Sequence, residues 1–197
     1  GKTDINAHPH SDNLNRISLV HNGIIENYLE LKNMLLNEGY SFKTQTDTEI
    51  IAVLISKYLD ENNSIDASIQ KCISQLKGSW ALCIIFNDDP NSMWITRNGS
   101  PLLLGIEDEY AMISSENAGF SDQIKTYIVI DNNDIIKITC YNNKIEYNCD
   151  IKRYKLNNRV MLADNNLPCE YDHWMLKEIM EQPLCINQAL NNGGRIS

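Results

Sequence analysis

His21-Asn22-Gly23-Ile24-Ile25-Glu26-Asn27-Tyr28 lies at the centre of a segment, Arg16 to Glu49, from which the rest of the chain can be laid out. Ahead of it, Arg16-Ile17-Ser18-Leu19-Val20-His21 alternates with the period of a strand. Behind it, Ile24, Tyr28, Leu31 and Leu35 recur at helical spacing. The pattern predicts a strand, a tight turn at Asn22-Gly23 and a helix. Such a junction presents the Gly23 N–H and the Asn22 carboxamide at one end of a strand, close to a positive helix N-terminus, where donors can hold a developing oxyanion. Asn-Gly is equally a common way to turn a chain, and at this point both readings stand.

Moving outward, the helix ends at Gly39, which suits a left-handed cap, and Tyr40 to Thr44 reads as a strand. Thr46-Asp47-Thr48-Glu49 has the spacing of a capping box opening a helix from Ile50 to Leu59. Asp47 then sits in the first helical turn. There it complements the helix dipole, worth about 0.3–1 kcal/mol, or accepts hydrogen bonds from the ammonium of a ligand. A third helix is expected from Ile65 to Leu76, with Ile65, Ile69, Cys72, Ile73 and Leu76 on one face.

Strands follow. Trp80 to Phe86 is apolar on both faces, so both faces should be covered. Further strands are expected at Met93–Arg97, Leu102–Ile106 and Tyr110–Ser115, with a short irregular or helical link from Glu116 to Asp122. Thr126–Asp131, Ile135–Tyr141 and Lys144–Cys149, joined by Asn132-Asn133 and Asn142-Asn143, read as a meander. Lys155 to Pro168 lacks periodicity and reads as a surface loop. An amphipathic helix from Tyr171 to Gln182 should stop at Pro183, followed by a short helical stretch and the start of a linker at Gly193-Gly194.

The 197 residues, 43% hydrophobic, are enough for one domain that buries roughly 70% of its unfolded surface. A net charge of −9 without any Lys/Arg run argues against nucleic acid and anionic membranes as partners. There is no apolar run of membrane-spanning length and no secretory signal, which points to the cytoplasm. The six cysteines show no zinc spacing and are expected to be reduced, Cys72 and Cys83 as small core residues. His8, His10 and His21 have no carboxylate or thiol at ligand spacing, so neither metal nor cofactor is expected. The first ten residues carry no start methionine and no periodicity, as though the chain began inside a longer protein. Ser11 to Asn15 reads as a polar loop insertion.

The residues alone thus yield an α+β domain of two antiparallel sheets covered by helices, with Asn22-Gly23 and Asp47 as candidate site residues. Several motifs go further: Asn6-Ala7-His8-Pro9-His10, His21 to Tyr28, Thr46-Asp47-Thr48-Glu49, Arg97-Asn98-Gly99-Ser100-Pro101-Leu102 and Lys177-Glu178-Ile179-Met180-Glu181-Gln182-Pro183. In order and spacing, from Asn6 to Ser197, they resemble the glutaminase domain of the glutamine–fructose-6-phosphate aminotransferase family. That resemblance implies a class II glutamine amidotransferase domain with the N-terminal-nucleophile hydrolase fold, a four-layer αββα sandwich. In such enzymes an N-terminal cysteine attacks the glutamine carboxamide and its own α-amino group serves as base. Ammonia passes to a C-terminal sugar-isomerase domain that makes glucosamine 6-phosphate, the entry to UDP-N-acetylglucosamine, and the intact enzymes are usually dimers.

Carried over by position, the resemblance gives Asn22 and the Gly23 N–H the oxyanion hole and Asp47 the α-amino group of L-glutamine. His8 and His21 match family positions and are assigned to local hydrogen bonding. It divides the chain into a glutaminase domain at 1–183, incomplete at its N-terminus, and a helix and linker at 184–197. Two family features are missing from the sequence: residue 1 is glycine instead of the nucleophilic cysteine, and the Arg-Trp-x-Thr-His segment that would hold the substrate carboxylate is absent. These 197 residues alone are therefore expected to be inactive. The alternatives are a non-catalytic glutamine-binding or scaffolding module of the same fold, or the glutaminase domain of another class II amidotransferase.

Overall fold

A computed structural model describes residues 3–142, 144–159 and 171–191. The chain divides into two compact units, Gly1–Arg159 and Val160–Ser197. In the first, strands β1 (His10–Ser11), β2 (Ile17–Ile25), β3 (Gly78–Phe86), β4 (Asp89–Asn98), β8 (Ile135–Tyr141) and β9 (Lys144–Tyr147) form sheet A in that order. Sheet B has the order β10 (Leu156–Asn158), β7 (Thr126–Val129), β5 (Leu103–Ile106), β6 (Ala111–Ser114). Every pairing in both is antiparallel. Helices α1 (Tyr28–Asn37), α2 (Asp47–Asp60) and α3 (Ile65–Gln75) stand between β2 and β3 in sequence.

The alternation of side chains along the strands builds two cores. Ile17, Leu19 and Ile25 of β2, Leu82, Ile84 and Phe86 of β3 and Trp94 of β4 pack with Ile50, Ile51, Leu54 and Ile55 of α2 and with Ile69 and Cys72 of α3. The opposite face of sheet A, with Ala81, Ile95, Ile136 and Ile138, meets Leu104 and Ile128 of sheet B. Each fully buried Ile or Leu contributes about 1.5–3 kcal/mol, which is why α2, buried along most of its length, is the central helix of this unit. The expected architecture of two antiparallel sheets with helices is the observed one.

Several local expectations are corrected. Asn22-Gly23 does not turn the chain: β2 runs on to Ile25, in register with β3 over nine residues. Gly23 takes a φ of +140° within the strand. The helix begins only at Tyr28, and Ile24 is an exposed strand residue. Asn27 caps no amide with its side chain, which instead donates to the Gln75 carbonyl and accepts the Lys77 N–H, both at 2.9 Å. Tyr40–Thr44 is not a strand, because Glu49 takes up the Lys43 and Thr44 N–H groups that a ladder would need. β7, β8 and β9 are no meander: the chain crosses from sheet B to sheet A between β7 and β8.

Leu156–Asn158 forms a strand on β7 where a loop was expected, and 160–168 lies outside the described residues. The full covering expected for β3 is incomplete, since Ile85 is 46% exposed and Val20, beside it on β2, 40%. Gly39 does adopt positive φ at the end of α1, as do Asn133 and Asn142 in their turns. In the second unit, α4 (Trp174–Asn191) continues through Pro183 instead of stopping there. Gly1 and 193–197 lie outside the described residues. Among those described, no helix is long and apolar enough to cross a membrane.

Candidate active site

The last residues of β2 and the first of α2 come together. Thr46 caps α2, its hydroxyl accepting the Glu49 N–H at 3.3 Å, an arrangement worth about 1 kcal/mol. Glu49 does not complete the box. Its two oxygens accept the Lys43 and Thr44 N–H groups at 2.8 and 2.7 Å, folding the preceding loop onto the helix start. Asp47, the first helical residue, is thereby aimed at β2. Its Oδ2 accepts the Ile25 N–H at 2.9 Å, while its side chain keeps 26% exposure.

That bond reports the orientation of the strand. Glu26 N–H donates to Lys77 and Asn87 N–H to Arg16, at 2.8 and 2.9 Å, and both pairs continue the β2–β3 register. Bonded pairs alternate in an antiparallel ladder, so even-numbered residues of β2 bond to β3 and odd-numbered N–H groups turn to the other side. β1 pairs there only as far as Leu19. The N–H groups of Gly23 and Ile25 lie beyond it, and Ile25 uses its own on Asp47. Gly23 is exposed and bonds to no side chain among the described residues.

A side chain at position 23 is sterically barred, since a Cβ would stand 2.1 Å from the Ser79 carbonyl oxygen and 3.0 Å from His21 Nε2. Asn22 is also exposed, and its carboxamide forms no hydrogen bond among the described residues. It lines a cleft of about 150 Å³ with His8, His21, Cys83, Ile113 and Ser114. The strand thus carries an unengaged carboxamide at 22 and an odd-numbered N–H at 23, and its N–H two residues further along, at Ile25, holds the carboxylate of Asp47. The acid stands in the first turn of α2, as expected, whereas the helix expected to open directly after Gly23 begins only at Tyr28.

Thr48, His21 and His8, for which sequence reasoning expects no part in the chemistry, complete the surroundings. Thr48 Oγ1 lies 3.1 Å from His8 Nε2, 3.2 Å from His21 Nδ1 and 3.5 Å from Asp47 Oδ1. His21 is 2% exposed at its side chain, and its Nε2 is buried without a hydrogen-bond partner among the described residues. Burial holds the His21 pKa below 6.5, opposed by Asp47 and the Ser79 carbonyl, with His8 adding to the depression. His10, also buried, lies 3.2 Å from the Thr46 hydroxyl.

Cys83 shares the cleft with Asn22, but burial pushes its thiol up to about 12, the condition of an inert thiol. Burial raises Cys72 as well. Among the described residues no group of three or more His, Cys, Asp or Glu side chains is gathered to hold a metal ion.

Residues 2–122 match the family described as the glutamine amidotransferase domain. Curated relatives include the glutamine–fructose-6-phosphate aminotransferase of Thermococcus kodakarensis, 35% identical over 98% of this chain and 32% of that protein. That of Clostridium acetobutylicum is 38% identical over 96% and 31%. The chain thus spans about a third of the length of the curated relatives it matches. Among solved structures, a glutamine phosphoribosylpyrophosphate amidotransferase from B. subtilis, complexed with ADP and GMP, superposes with a TM-score of 0.62 at 24% identity. A structure described as the allosteric regulatory enzyme of purine biosynthesis gives 0.63 at 25%; each match covers 82% of this chain and 33% of the other.

Proposed function

The chain belongs to the glutamine amidotransferase domain family, and on that premise we propose that it is the glutaminase part of an enzyme making glucosamine 6-phosphate from fructose 6-phosphate and L-glutamine. The observation that supports the reading is that Asn22 and Gly23 share the end of β2 with the Ile25 amide that holds Asp47. In hydrolysis of the glutamine carboxamide, the Asn22 side chain and the Gly23 N–H donate to the oxygen that becomes negative in the tetrahedral intermediate. Asp47 accepts hydrogen bonds from the α-ammonium. Two residues of strand separate Gly23 from the amide that holds Asp47, roughly 6–7 Å. An extended glutamine spans a similar length, roughly 5 Å from amine nitrogen to carboxamide carbon.

In the whole enzyme, ammonia is handed to a sugar-isomerase domain, residues 184–197 lead towards it, and the intact protein works as a cytoplasmic homodimer. Similarity to the aminotransferases over 95% or more of this chain favours this enzyme over other amidotransferases. Burial raises the thiol pKa values of Cys72, Cys83 and Cys149, and the exposed Cys140 is not among the residues lining the Asn22 cleft. The 197 residues alone are accordingly inactive. The experiment is ammonia and glutamate release from L-glutamine, by this chain and by a polypeptide joining it to an N-terminal cysteine segment of a relative. Release by the joined protein alone is expected; release by the 197 residues unaided would overturn the roles of Asn22, Gly23 and Asp47.

A further inference from the structure

We propose that Thr48 is the positioning residue of this site: its hydroxyl gives its proton to Asp47 Oδ1 while accepting one N–H from His8 and one from His21, so that both oxygens of the acid are fixed. The inference rests on the reading of Asp47 as the ammonium acceptor, and it comes from counting protons. A hydroxyl has one proton to donate and two lone pairs to receive. Thr48 Oγ1 has three polar neighbours, His8 Nε2 at 3.1 Å, His21 Nδ1 at 3.2 Å and Asp47 Oδ1 at 3.5 Å. An ionised carboxylate can only accept. If the hydroxyl proton goes to Asp47, both imidazoles donate to Oγ1 and all three contacts are satisfied.

A further observation agrees. In this arrangement His21 carries its proton on Nδ1, the nitrogen 3.8 Å from Asp47 Oδ1, so the N–H dipole faces the negative charge. The other nitrogen then holds only a lone pair, buried near the Ser79 carbonyl with no hydrogen-bond partner among the described residues. The opposite arrangement gives an Nε2–H the Ser79 carbonyl to face but leaves Asp47 Oδ1 without the hydroxyl, and the ring spectra distinguish the two. With Ile25 N–H on Oδ2 at 2.9 Å and the hydroxyl on Oδ1, the carboxylate plane is set. Its remaining lone pairs then face the open side for an ammonium.

The test is long-range ¹H–¹⁵N NMR of the histidine rings of this chain at neutral pH, followed by titration with L-glutamine, for the unaltered protein and for Thr48→Ser, Thr48→Val and Asp47→Asn. His21 is expected as the neutral Nδ1–H form in the unaltered chain and in Thr48→Ser. In Thr48→Val that form should be lost and glutamine should bind roughly tenfold more weakly, with Thr48→Ser restoring both. An Nε2–H ring in the unaltered chain overturns the proposal. So does a Thr48→Val variant that binds glutamine as the unaltered chain does, or a Thr48→Ser variant as impaired as Thr48→Val. If the unaltered chain binds no glutamine, or if Asp47→Asn binds it equally well, the reading of Asp47 falls, while the ring spectra still decide the hydrogen-bond arrangement.

Discussion

Asp47 accepts the N–H of Ile25 at 2.9 Å across 22 residues of sequence, joining the first residue of α2 to the last of β2. The bond separates two roles of the acid. Asp47→Asn retains an acceptor for the amide and is expected to change the unfolding free energy by less than about 1 kcal/mol, while removing a charge-assisted contact to glutamine worth about 1.5–3 kcal/mol. Asp47→Ala loses both and leaves the Ile25 N–H unpaired, a further cost of about 1–3 kcal/mol. Denaturant unfolding beside calorimetric glutamine titration checks the pair. Equal destabilisation by the two variants would contradict it.

Gly23→Ala is expected to unfold more easily whatever its effect on the ligand. A φ of +140° disfavours any side chain, and the new methyl carbon would overlap the Ser79 carbonyl oxygen. The backbone conformation alone costs about 1–3 kcal/mol, and relief of the overlap must shift β3 as well. Urea unfolding followed by circular dichroism reads the loss.

Asn22→Ala should behave in the opposite way. Its carboxamide is exposed and unengaged, so stability should stay within about 0.5 kcal/mol. Turnover of a nucleophile-bearing form should fall about 10²–10³-fold, with glutamine affinity little altered. An unchanged kcat would remove the oxyanion role.

Acid should weaken the fold through the buried imidazoles. Burial is the largest influence lowering the pKa of both His21 and His10 below 6.5. The unfolded chain therefore takes up protons that the folded one refuses. This contribution is fully present above 6.5 and is lost as pH falls from there towards the folded pKa. Urea midpoints should drop over that window, and His21→Gln should flatten the drop. A slope unaltered in that variant would show that His21 is not its source.

The helices α2 and α3 and most strands were legible because their signals are local: a Thr capping a turn, apolar residues at helical period, alternation along β3. Asn22-Gly23 was read as a turn because that dipeptide usually makes one. Only the nine-residue pairing with β3 explains why the strand continues through a glycine at positive φ. The crossing between sheets after β7 leaves no local trace, since strand residues look alike whichever sheet they join. Asp12, read as part of a polar insertion, is a buried clasp that accepts the Arg16 and Ile17 N–H groups and the Ser56 hydroxyl. The partners of Thr48 lie 27 and 40 residues away, so its place beside the acid could not be read from the chain.

Sheet A carries six strands and sheet B four, and on the side where β6 ends sheet B, Val20 and Ile85 keep 40% and 46% of their surface in water. An uncovered apolar sheet face of this kind is a place where other molecules dock. Preparations of this polypeptide should consequently associate as concentration rises. Light scattering should detect it, and lysine at either position should suppress it without harm to the helical core.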